Sequence, residues 1–116
     1  MYDKNNIFAK IIRKEIPCEK IYEDEKVLFF KDINPQAKIH ILGIPKIEVK
    51  NFREFIIFTD NDSIKYFFDK ALDVVKSFKL DETGYRLITN DGSDSNQEVP
   101  HFHIHILGGE NLSGLL

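Results

Sequence analysis

The run HFHIHIL, His101 to Leu107, constrains this 116-residue chain more than any other stretch. From His101 to Ile106 polar and apolar residues alternate without a break. Only an extended strand, whose successive side chains point to opposite faces, sorts such a pattern cleanly. His101, His103 and His105 then share one face, and Phe102, Ile104 and Ile106 share the other. The apolar face is expected to pack inward and the imidazole face to line something wet. Three of the chain's four histidines lie here; the fourth is His40.

The segments around this run read as a mixture of strands and helices. NNIFAKIIRKEIP places Ile7, Phe8, Ile11 and Ile12 at the spacing of a short amphipathic helix, with Asn5 or Asn6 as its cap and Pro17 beyond its end. EKIYED and EKVLFFKDI suit a hairpin, and KIHILGIP is a strand with His40 on the face opposite Ile39 and Ile41. Residues 51–58 are ambiguous between a short helix and a covering segment. A long helix is predicted from about Ser63 to Phe78, its apolar stripe made of Ile64, Phe67, Phe68, Ala71, Leu72, Val75 and Phe78. GYRLITN and HFHIHIL complete five strands. The expected fold is α+β: one domain over residues 1–116, with a mostly antiparallel five-stranded sheet, one long helix and a short N-terminal helix.

Composition narrows the functional classes. A formal charge of −3 gives no basic footprint for nucleic acid or an anionic membrane. The single cysteine, Cys18, excludes an internal disulfide framework and the paired-thiol zinc patterns. No apolar run approaches the roughly 20 residues that span a bilayer, and the N-terminal stretch lacks a signal-peptide centre. A cytoplasmic protein is expected.

Three readings of the histidine face compete. The imidazoles can be solvent-facing polar residues on a half-buried strand, although three in consecutive outward positions strain that view. They can ligate a metal, since two histidines two apart on a strand reach one ion; Glu98 and Glu110 flank the run without forming a ligand pattern. Or they can act on phosphorus, because neutral imidazole is a nucleophile near pH 7 and leaves readily in a second step.

HFHIHIL resembles the alternating signature of the histidine triad (HIT) superfamily of nucleotide hydrolases and transferases. IFAKIIRKEIP, FFKDINPQA, HILGIPK, GYRLITNDGSDSNQEVPH and the closing LGG are similar to its Hint branch, in the same order and at similar spacings. The resemblance implies a HIT-like fold and cleavage of nucleoside 5′-phosphoramidates or related AMP and GMP derivatives; the alternatives are hydrolysis of dinucleoside polyphosphates and a nucleotide-binding interaction module with little turnover. In that scheme His103 attacks the α-phosphorus, His105 contacts a phosphoryl oxygen or the leaving group, and His101 and His40 orient the nucleophile. It further implies that Asp32 grips the ribose, that Ile7, Phe8, Ile11, Phe30 and Ile33 hold the base, and that Asn90, Gln97 and Glu98 lie around the phosphate. No cofactor and no metal are implied. The partners implied are a purine nucleotide and a second copy of the chain; Tyr66, Phe68 and Val74, partly off the main helical stripe, offer that copy a surface. Glu98 stands where animal members carry serine, Pro100 where relatives carry tyrosine, and Glu48 where many carry a further histidine.

Overall fold

The computed structural model describes residues 1–114. The elements run α1 (Ile7–Ile12), β1 (Lys20–Glu23), β2 (Val27–Lys31), β3 (Ile39–Pro45), α2 (Phe52–Phe58), α3 (Asn61–Ser77), α4 (Leu80–Thr83), β4 (Tyr85–Ile88) and β5 (Ile104–Gly108). The strands form one sheet in the order β1-β2-β3-β5-β4, and every neighbouring pair is antiparallel. This is the five-stranded α+β arrangement the sequence predicts, with two additional short helices, α2 and α4.

The sheet is covered on both faces, which explains why VLFF in β2 is continuously apolar rather than alternating. On one face Phe29, Ile41 and Ile106 pack with Phe67, Ala71, Val74 and Val75 of α3. On the other, Leu28, Phe30, Leu42 and Ile44 pack with Phe8 and Ile11 of α1. Asn6 starts α1: its side-chain oxygen accepts the Ala9 N–H at 2.9 Å. Asp60 caps α3 in the same way through the Ser63 N–H at 2.7 Å, so the helix begins two residues before the predicted start.

Two helix assignments change. Leu72, predicted in the stripe, is 43% exposed, whereas Val74 is only 4% exposed. The buried arc centres on Phe67, Ala71, Val74 and Val75, and a residue five positions past Phe67 has rotated out of it. Val74 is therefore core, and Tyr66 and Phe68 pack against the same core rather than forming a second face. Residues 51–58 resolve as a helix capped by Asn51 through the Glu54 N–H. Only Phe55 of α2 is buried.

The most consequential correction lies in the histidine run. Strand pairing begins at Ile104, opposite Gly43, so residues 101–103 stand outside the ladder. The His101 N–H turns back to the Val99 carbonyl, and the Phe102 N–H donates to the Val49 carbonyl, both at 2.8 Å. This bend turns His101 into the interior, where it is 0% exposed beneath Tyr2 and Phe8 instead of lining a wet face. At the other end of β5, Gly109 adopts φ +82°, and a side chain there would also press on Ile39.

Candidate active site

A cleft of about 860 Å³ opens on the α1 face of the sheet. Four separate segments bring its polar groups together. Asp32 follows β2, His40 belongs to β3, His103 and His105 come from the β5 strand and its approach, and Asn90 to Val99 form a loop along one wall. The register explains the meeting of two histidines: His40 pairs with Leu107 and Leu42 with His105, so both imidazoles project from the same face of adjacent strands.

Backbone groups fix the protonation of His40 and His103, and His40 in turn fixes that of His105. The Gln36 N–H donates to His40 Nδ1 at 2.9 Å, so the ring proton of neutral His40 sits on Nε2. That N–H lies 2.9 Å from His105 Nδ1 and 3.3 Å from an Asp32 carboxylate oxygen. His105 Nδ1 therefore accepts, and its own proton is carried on Nε2. His103 Nδ1 lies 2.7 Å from the His101 carbonyl, which can only accept; Nδ1 is protonated and Nε2 presents a lone pair. Thr89 Oγ1 donates to the His103 carbonyl at 2.7 Å, and the Phe8 and His103 rings meet edge to face with centroids 4.8 Å apart. One ring offering a lone pair thus stands 5.1 Å, centroid to centroid, from one offering an N–H.

Burial keeps all four rings neutral. It pushes His101 down to about 4, against the opposing hydrogen bond to the Pro45 carbonyl. It pushes His105 to about 4 as well, and the charge His103 and His40 would carry if protonated acts in the same direction. His103 and His40 are lowered by burial and partly restored, His103 by the His101 carbonyl and His40 by Asp32.

The residues expected at the nucleotide all line this cleft except His101, which lies behind it. Phe8, Ile11 and Phe30 form a buried apolar wall, while Ile7 and Ile33 stand exposed at its mouth, Ile33 at 88%. His40 contacts His105 rather than the predicted nucleophile, and His101 reaches His103 through its carbonyl, not its ring. Asn90 Nδ2 donates to the Ser95 carbonyl, and the Gln97 amide is committed to Lys50, Val99 and Gly92, so both hold the loop in shape. The exposed Glu98 is at the rim; Lys31, which also lines the cleft, is paired with Glu19 at 2.8 Å. Residues 16–18 complete the wall, a place the sequence does not assign them. Tyr2, Gln36, Pro45 and Thr89 also orient the histidines unannounced, because three of the four contacts involve backbone groups.

The fold and this histidine arrangement define a member of the HIT domain family: residues 13–112 match that family, and the chain belongs to it. An uncharacterised HIT-like protein of Rickettsia prowazekii is 52% identical over 116 residues, covering 100% of this chain and 97% of its own length. The HIT family hydrolase of Clostridium thermocellum, whose structure is solved, is 39% identical, with TM-score 0.89 and 98% of each chain covered. A relative from Zea mays called a 14 kDa zinc-binding protein is 46% identical over 114 residues, which cover 96% of this chain and 87% of that one.

That last name raises the question of a metal. Asp32, His40 and His105 bring ligand atoms within 4.8 Å of one another. The donor set does not fit an ion: His40 Nε2 holds the proton that His105 Nδ1 accepts, and moving it to Nδ1 would oppose it to the Gln36 N–H. Among the described residues no helix is long and apolar enough to cross a membrane.

Proposed function

We propose that this protein hydrolyses nucleoside 5′-phosphoramidates or related AMP and GMP derivatives through a nucleotidyl-His103 intermediate. The observation that carries the reading is the His103 Nδ1–H bond to the His101 carbonyl, which leaves the Nε2 lone pair free in a cleft of nucleotide size. Its likeness to HIT family hydrolases supports the reaction type.

In this scheme Nε2 attacks the α-phosphorus as the bond to the leaving amine breaks, and the amine takes up one proton. The His105 N–H is the adjacent donor for a phosphoryl oxygen or for that transfer. Water then attacks phosphorus, the bond to His103 breaks, one proton is released, and a nucleoside monophosphate leaves. Asp32 accepts hydrogen bonds from the ribose, while Phe8, Ile11, Phe30 and the exposed Ile7 and Ile33 enclose a purine. Dinucleoside polyphosphates are the poorer fit, because Asp32 and Glu98 carry negative charge at the cleft and Lys31 is already paired. A homodimer accompanies this reading: β4 is an edge of the sheet and carries exposed Tyr85 and Leu87.

The test is AMP release from an adenosine phosphoramidate. His103→Ala should lower turnover by about four orders of magnitude, and mass analysis of quenched wild-type enzyme should locate an adenylate on His103. Equal, negligible rates for the two proteins would leave a nucleotide-binding module without useful turnover.

A further inference from the structure

The Tyr2 hydroxyl lies 2.6 Å from His101 Nδ1, and the two rings meet edge to face at 5.6 Å. His101 Nε2 lies 2.8 Å from the Pro45 carbonyl, so Nε2 must donate and Nδ1 must accept; the phenol is the donor. Burial raises the Tyr2 hydroxyl above its ordinary range, which keeps that proton in place. The segment is itself anchored: the Asn6 side chain donates to the Asp3 carbonyl at 2.7 Å and the Asn5 N–H to the Asp3 carboxylate at 2.9 Å.

We infer that Tyr2 is a positioning residue for the nucleophile, acting through His101 on the carbonyl that holds His103 Nδ1–H. All four polar groups of His101 are engaged: ring Nδ1 by Tyr2, ring Nε2 by Pro45, backbone N–H by Val99 and carbonyl by His103. Without the phenol, a wholly buried nitrogen has no donor. The ring can relieve this only by flipping, which breaks the Pro45 bond, or by shifting residues 99–103 to admit water. The shift displaces the His101 carbonyl, and with it the preference of His103 for a lone pair on Nε2; a flip leaves the carbonyl in place but removes the Pro45 bond that pins His101 from behind.

This inference rests on the phosphoramidase reading for its kinetic consequence, so the test has two arms. Tyr2→Phe retains the ring and removes only the hydroxyl. In the folded variant kcat should fall at least about tenfold while KM stays within about twofold. Imidazole ¹⁵N spectra, taken without substrate, should change His103 from the Nδ1–H form to a mixture of forms. Lys4→Ala, which loses only the long Lys4–Glu48 contact, should change neither. A folded Tyr2→Phe protein with unchanged His103 spectra, or with wild-type kcat, overturns the inference. If the wild-type enzyme releases no AMP, the functional reading falls, and the spectra still decide the role of Tyr2.

Discussion

Lowering the pH from 7 to 5 should destabilise this fold in a window where carboxylates are not responsible. His101 and His105 are held by burial at about 4, against an ordinary 6.5. Below 6.5 the unfolded chain takes up a proton on each, and the native state does not. The unfolded state then binds more protons, so stability rises with pH across the window and falls on acidification. Each histidine contributes about 1.4 kcal/mol per pH unit. The 1.5 units between 6.5 and 5 therefore remove about 2 kcal/mol per ring, or about 4 kcal/mol for the pair. His40 and His103, also lowered by burial, act in the same direction. The strongly perturbed carboxylates act elsewhere. Glu23, held at about 2 by Lys20 and Lys46, and Asp24, where hydrogen bonds led by Tyr66 outweigh burial to give about 2, lose their contributions only below about 4.5. A loss of about 4 kcal/mol is large beside the roughly 5–15 kcal/mol that holds a domain together. Urea unfolding at pH 7 and pH 5, at constant ionic strength, measures it by linear extrapolation. Equal or greater stability at pH 5 would refute the reasoning, as would imidazole titrations with midpoints near 6.5 for these two rings.

The same neutral rings set the activity profile: His103 is lowered by burial, so the acid limb of kcat/KM should fall below pH 6.5, and a limb above it would contradict the site. Gly43→Ala should cost about 1–3 kcal/mol by urea unfolding, because its Cβ would collide with the Phe29 ring on the neighbouring strand β2. Ile33→Ala should change stability by under about 0.5 kcal/mol while raising KM, since Ile33 is 88% exposed yet borders the cleft; a change in thermal stability without one in KM would move it out of the base pocket. Dialysis against a chelator should leave melting temperature and turnover unchanged, and loss of either would restore a metal to Asp32, His40 and His105.

Much of the fold was legible because local chemistry and tertiary packing agree. Asn6 and Asp60 cap helices whose apolar spacing announces them, and the alternation in Ile104 to Ile106 matches a strand with one face on α3. The failures have physical causes. Phe52, Phe55, Ile56, Ile57 and Phe58 are apolar on every side of α2, so no period distinguishes the buried Phe55. The choice between Leu72 and Val74 depended on how α3 is rotated against Phe29, which neighbouring residues along the helix cannot report.

The sequence by itself determined which chemical groups are available: imidazoles at alternate positions, an acid after β2, and an apolar helix to wall a pocket. The tertiary structure alone decided that His101 is buried behind the cleft, that His40 answers to His105, and which nitrogen of each ring holds the proton. Those decisions are made by the Gln36 N–H and by the His101 and Pro45 carbonyls. Such groups are common to the backbone of almost every residue, so their roles arise only when folding sets one of them within hydrogen-bond reach of a ring.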